Sequence, residues 1–374
     1  MPGILSSRRL IFLNKVFFIP EGLTLLRGAR RGHTRLRKHD SMRIGNTIVW
    51  VIAGLLCLGS CRSLVYDQGQ DVCEVAVRFK YEYNMKFADA FPNEVHSVTM
   101  FVFDPVTGAF VTKASDSGKH LDQNYYMTIP GLTKGRYDLV AWCGLADSDF
   151  TVTDPKTKEE LFCRMNTLTK ASEYIDTDPG ALYYGYAENV QLDILPPGSV
   201  NTIVISLIKN TNNVKVLLQA LNTGAQLTPE EYDITIGDDN VLLDWKDEAS
   251  KPVDVTYSPW DKRQGMVEYD DNETYLTAVV AEFTLNRLFK KEDKKTMLSV
   301  IDKTTGEKVI HIPIVDYFLL VKGNYNREMG DQEYLDRQDD YQITFFLDNT
   351  HGWSIAAGIF INGWHVVLQN NNLD

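Results

Sequence analysis

The stretch Val75-Ala76-Val77-Arg78-Phe79-Lys80-Tyr81-Glu82-Tyr83 decides the class of fold. Val75, Val77, Phe79, Tyr81 and Tyr83 alternate with Ala76, Arg78, Lys80 and Glu82. This is the period-2 pattern of a strand with one buried and one wet face. Residues 98–103 form a second β-rich run closed by Asp104-Pro105 and the turn residues Thr107-Gly108. Residues 125–129 and 136–142 read as further strands, set apart by the breakers Pro130-Gly131 and Gly135.

Between residues 145 and 182 the pattern loosens, and one short helix is expected around 158–165. Alternation returns at 202–208, where Ile203, Ile205 and Leu207 share a face. Residues 210–213 are polar, and Val214, Val216 and Leu218 then resume the pattern. A domain boundary is therefore expected near residue 210. Farther on, residues 233–236 precede the turn Gly237-Asp238-Asp239-Asn240, and 275–283 form another run. Residues 297–302 and 308–312 flank Thr305-Gly306 as a hairpin, and Tyr341, Ile343, Phe345 and Leu347 alternate with Gln342, Thr344 and Phe346. Residues 354–361 and 364–368 enclose Asn362-Gly363, the pair suited to a type I′ turn because both central positions need φ > 0. Many short strands with frequent turns and few helices point to β-sandwiches.

At 374 residues the chain exceeds the usual size of one domain. Its 44% hydrophobic and 24% charged residues exclude wholesale disorder and a polytopic membrane protein. Residues 1–41 hold nine basic residues against Glu21 and Asp40, a net charge of +7, whereas the chain after residue 60 carries 28 basic and 48 acidic residues, a net of −20. Such an acidic body repels nucleic acid and anionic head groups.

An export signal separates the two regions. Met42-Arg43 opens a charged n-region, residues 44–58 are apolar save Asn46 and Thr47, and Gly59-Ser60-Cys61 follows. The apolar run is too short to span a bilayer comfortably. Leu58-Gly59-Ser60-Cys61 is similar to the lipobox of bacterial lipoproteins, in which the Cys61 thiol would take a diacylglyceryl group and become the acylated N-terminus. Two or more chains are what stable anchoring requires. Residues 1–41 are expected to be an unpacked prefix before a true start at Met42, residues 42–60 the signal peptide, and 61–74 a polar tether. Cys73, Cys143 and Cys163 remain after cleavage, either as buried apolar cysteines or with one bridge between two of them.

Several blocks together resemble the FimB-like family of fimbrial anchor lipoproteins of type V pili. They are Phe79-Lys80-Tyr81-Glu82-Tyr83-Asn84-Met85, Ala88-Asp89-Ala90-Phe91-Pro92, Val98-Thr99-Met100-Phe101-Val102-Phe103-Asp104, Gly135-Arg136-Tyr137 to Trp142, and Leu182-Tyr183-Tyr184-Gly185. Tyr257-Ser258-Pro259, Arg287-Leu288, Asp340-Tyr341-Gln342-Ile343 and Ile361-Asn362-Gly363-Trp364 continue the match. Cys143 departs from it, standing where the family more often has a small residue. The resemblance implies an all-β chain of two transthyretin-like Greek-key sandwich domains in tandem, 75–210 and 211–374, behind a lipoprotein signal peptide. It further implies a structural role: an outer-membrane, surface-exposed anchor whose partners are fimbrial stalk subunits, joined by strand complementation.

Chemistry is sparse in the sequence. His96, His120, His311, His351 and His365 form no HExxH pair, no Gly-x-Ser-x-Gly elbow or phosphate loop occurs, and no catalytic, cofactor or metal residue is assigned. Asp238-Asp239, Asp270-Asp271 and Asp339-Asp340 lack calcium-loop spacing and read as solvated turns. Trp142, Trp245, Trp260, Trp353 and Trp364 could stack on sugars, although Trp142 and Trp364 sit in strand patterns and read as core. The alternative function is thus a surface glycan-binding lipoprotein, or a tip or accessory adhesin, marked by coplanar exposed aromatics. The residues assigned to subunit contact are Trp364, Val366 and Leu368, in a last strand that either completes the second sandwich or complements a neighbour.

Overall fold

A computed structural model describes residues 72–166, 174–222, 226–268, 275–323 and 328–368. The prefix, the signal, Cys61 and the Asp270-Asp271 pair lie outside the described residues. Residues Asp67–Asp374 form one compact unit.

In chain order, the strands of the first half are β1 (Val75–Lys80), β2 (Ser97–Phe103), β3 (Phe110–Ser117), β4 (Met127–Thr128), β5 (Gly135–Cys143), β6 (Phe150–Val152), β7 (Phe162–Met165), β8 (Tyr174–Ile175), β9 (Tyr183–Leu192) and β10 (Asn201–Lys209). Those of the second are β11 (Asn212–Ala220), β12 (Tyr232–Asp238), β13 (Leu242–Asp244), β14 (Val255–Tyr257), β15 (Asp261–Glu268), β16 (Tyr275–Leu285), β17 (Met297–Asp302), β18 (Lys308–Pro313), β19 (Asp340–Leu347), β20 (Ile359–Ile361) and β21 (Trp364–Val366). The α-helices among the described residues are short: α1 (Phe91–Glu94), α2 (Ile314–Leu319) and α3 (Asp331–Arg337). The chain is all-β, as expected. None of these helices is long and apolar enough to cross a membrane.

A seven-stranded sheet of order β3-β2-β5-β9-β10-β1-β4 is drawn wholly from the first half. Its second strand, β2, lies between β3 and β5 and is buried along its whole length. The period-2 geometry explains how: Val98, Met100 and Val102 face a core with Val75, Val77 and Phe79, while Phe101 and Phe103 face a second core built mostly from the later half. A six-stranded sheet of the later half, β15-β16-β11-β19-β20-β21, and a five-stranded sheet, β18-β17-β12-β14-β8, which takes β8 from the first half, contribute Val216, Phe345, Ile236 and Val300 to that second core. In both halves an early strand runs parallel to a late one, β1 beside β10 and β11 beside β19.

The polar interruption at 210–213 falls where β10 gives way to β11. Strand pairing also crosses it, because β7 pairs with β13 and β8 with β14. This crossing corrects the expected helix at 158–165: only Lys158–Glu160 coil, as a 3-10 turn, and Phe162–Met165 extend instead. Backbone partners on both sides, β6 and β13, override a weak local preference. Cys143 and Cys163 are buried free thiols and Cys73 is buried as well, so of the two alternatives the buried apolar cysteines are realised. Burial pushes the Cys143 and Cys163 thiols up, which leaves them unreactive.

Candidate subunit-contact surface

The C-terminal hairpin forms the outer edge of the six-stranded sheet. Asn362 and Gly363 have φ of 48° and 82°, the two positive values a type I′ turn demands. Asn362 is tied to the sheet twice: its N–H donates to the Gln342 carbonyl at 2.8 Å, and its Oδ1 accepts from the Gln342 N–H at 2.8 Å. The strands are shorter than the sequence suggested. Residues Ile355–Ala357 coil as a 3-10 turn, and only Ile359–Ile361 and Trp364–Val366 pair.

The core reading of Trp364 is overturned here, whereas Trp142 is fully buried as expected. Trp364 stands across from Ile361, yet it retains 64% of its surface. The reason is position: β21 is the last strand of the sheet, and the core that buries Ile359 and Ile361 and touches Val366 does not extend over Trp364. Val366 and Leu368 are half-buried against the core margin. Trp364, His365 and Val366 instead line a cavity of about 540 Å³ with Met85, Leu320, Val321 and Tyr334. The opposite edge strand, β15, carries Asp261, Lys262, Arg263 and Glu268. Charge of this kind protects an edge against pairing, and the strand β21 has none.

A second depression, about 600 Å³, lies on the same sheet and is lined by Asn213, Lys215, Glu282, Asp340, Gln342 and Trp260 among others. It is polar, with Lys215 and Arg263 both holding Glu282, at 3.1 Å and 2.7 Å. Burial alone would raise the Glu282 carboxyl, and the two cations outweigh it and keep it low. Of the aromatic rings lining it, Trp260 is exposed while Phe283 and Tyr341 are buried.

Two ionic clusters brace this region. Asp238 and Asp239 are not solvated turn residues, since both are buried: Lys291 bonds both carboxylates, and Thr296 donates to Asp238 at 2.7 Å. The second cluster joins distant segments. Arg287 Nε and Nη2 donate to the two oxygens of Asp336 on α3, each at 2.9 Å. Its Nη1 donates to the Asp247 carbonyl at 2.5 Å and sits 2.9 Å from the Asp247 carboxylate, which also accepts from Asn210. Burial pushes Asp247 up to about 7 against the pull of Arg287. Arg287 appeared in sequence only within a matching block, with no local sign of this role. Among the described residues no three His, Cys, Asp or Glu side chains gather as a metal-holding group.

A candidate adhesin from Bacteroides thetaiotaomicron is 28% identical with a TM-score of 0.71, over 80% of this chain and 98% of that one. A candidate polysaccharide-binding protein from the same organism is 31% identical with a TM-score of 0.65, over 80% and 99%. The fimbrial anchor protein Mfa2 from Porphyromonas gingivalis shares the fold at 21% identity and a TM-score of 0.59, over 80% and 100%. No curated protein sequence matches. The profile of the fimbrillin-A associated anchor proteins Mfa1 and Mfa2 matches residues 70–370, and the chain therefore belongs to the Mfa2 family of fimbrial anchor proteins.

Proposed function

We propose that this protein is the lipid-tethered anchor that holds a fimbrium at the outer membrane and limits its growth, with other fimbrial subunits as its partners and no enzymatic activity. The observation that carries the reading is the match to a family of structural anchors along almost the whole body of the chain. In it, Cys61 bears the lipid, and the tether 61–74 leads into the sheets. The stalk subunit adds a strand at β21, where main-chain bonds give strength and the cavity beside Trp364 and Val366 takes an apolar side chain. The uncharged edge of β21, set against the charged edge of β15, supports that choice of site.

The test has two parts. Cys61→Ala should release the protein from the membrane fraction or block its processing, and mass spectrometry of the mature protein should find an acylated Cys61. Affinity isolation of the lipidated protein from intact cells should recover stalk subunits. An unmodified N-terminus elsewhere would sink the lipid anchor, and recovery without fimbrial subunits would sink the fimbrial role.

Glycan binding is a second reading, supported by the polar depression with Trp260 and by the relative described as a candidate polysaccharide binder. It offers one stacking ring instead of a coplanar platform. Loss of binding to a bacterial or host glycan array on Trp260→Ala, with fimbriae retained, would favour it over the anchor.

A further inference from the structure

Where the chain enters its first strand, three segments meet at one end of the seven-stranded sheet. Val72 bridges Thr133, the Asn201 N–H donates to the Glu74 carbonyl at 2.9 Å, and Lys134 pairs with Asp193 at 3.5 Å. From this end the β9–β10 connection, Asp193-Ile194-Leu195-Pro196-Pro197-Gly198-Ser199-Val200, projects with every residue exposed. Its apolar content is unusual for so acidic a body. Ile194, Leu195 and Val200 keep 51%, 38% and 41% of their surfaces, and Val72 beside them keeps 51%. Asp193 is the connection's one charge, and it pairs with Lys134.

The connection is held in shape. Asn201 clamps its neck, its Oδ1 accepting from the Asp193 N–H at 3.1 Å and its Nδ2 donating to the Asp193 carbonyl at 3.0 Å. Pro196 and Pro197 fix two φ angles, Gly198 turns with φ of 85°, and the Ser199 N–H closes onto the Pro196 carbonyl at 3.0 Å. A clamped tip of apolar residues in water has a free-energy reason to find a partner.

We infer that this tip, with Val72, rests in the interfacial layer of the lipid bilayer, so that the protein touches the membrane through its fold as well as its acyl chains. The inference rests on the lipid anchor proposed above. Cys61 precedes Val72 by eleven residues, so chain length alone keeps the acylated end within about 40 Å of the tip. Tethering at that length raises the local concentration of the surface to the order of millimolar, so weak insertion is populated. Interfacial apolar side chains sink about 5 to 10 Å, which suits a loop of this size. The fimbrial side lies elsewhere: β10 leads away from the tip for nine residues, about 30 Å, to Lys209, which bridges to Asp339 at the start of β19.

The test uses the full chain, processed in cells and reconstituted into zwitterionic vesicles of phosphatidylethanolamine and phosphatidylcholine, with a polarity-sensitive fluorophore on Ser199→Cys. The expected result is blue-shifted emission quenched by shallow doxyl-labelled lipids, and a several-fold loss of quenching when Ile194→Glu and Leu195→Glu are added. Vesicle binding through the acyl chains should persist in that variant. An acylated, vesicle-bound protein whose probe stays in water overturns the docking alone. A probe shielded only when stalk subunits are added assigns the tip to a protein partner and likewise overturns it. An N-terminal peptide without acyl chains overturns the anchor and the docking together.

Discussion

Trp364 and Ile361 face each other across the two-residue turn of the last hairpin, one with most of its surface in water and the other with none. Cross-strand partners share a face of their sheet, so the contrast arises from where the covering layer stops. The two side chains therefore report on different things. Trp364→Ala should change stability by no more than about 1 kcal/mol, because little packing is lost, while fimbrial retention on cells falls. Ile361→Ala should cost about 2 to 5 kcal/mol. Chemical denaturation of the two variants beside a count of cell-bound fimbriae separates the roles. A Trp364→Ala protein that unfolds readily would return Trp364 to the core.

Gly185 on β9 leaves no room for a side chain. A Cβ there would stand 2.5 Å from Ile205 Cγ2 and 2.8 Å from Leu207 Cδ2. Both neighbours lie in the core of the first sheet. Gly185→Ala should therefore destabilise by about 1 to 3 kcal/mol through overpacking, whereas Gly237→Ala, which meets nothing within 4 Å, should be much milder. Melting temperatures of the pair provide the check.

Arg287 serves two buried carboxylates, Asp247 and Asp336. Arg287→Met would leave both without their cation, at a cost of about 3 to 5 kcal/mol. The triple variant Arg287→Met, Asp247→Asn, Asp336→Asn should recover part of that loss. Denaturant midpoints that fail to rise in the triple variant would show that the charges themselves are not the issue.

Asp247 gives the cluster a pH dependence of unusual sign. Its carboxyl is raised in the folded protein to about 7 because burial disfavours the anion. The folded state then holds a proton that the unfolded chain has released, so this contribution is fully present below about pH 4 and is lost as pH rises through about 7. Asp239, held low where Lys291 outweighs its burial, acts in the opposite direction, its contribution being lost in acid. Unfolding free energies measured between pH 4 and 8 should fall less with pH in Asp247→Asn than in the parent. Parallel curves would refute the assignment.

The all-β class, the turn chemistry and most strand positions are legible in the residues alone, because these depend on neighbours within a few residues. The run at 297–302 became β17 with the same ends, and Asn362-Gly363 took the two positive φ angles its composition favours. Runs without a clean apolar alternation stayed hidden. In β3, Val111, Lys113 and Ser115 are exposed beside half-buried neighbours, and β15 is charged; each is held by pairing with a hydrophobic strand beside it. What lies over each face is set by the packing of distant segments. Alternation says that Trp364 and Ile361 share a side and says nothing of where the covering layer ends. The Asp238-Asp239 pair reads as a wet turn until Lys291 arrives from more than fifty residues away. Likewise Phe162–Met165 extends because β13, distant in sequence, supplies its hydrogen bonds. Burial and partnership are set by chain segments meeting in space, and no local pattern carries that information.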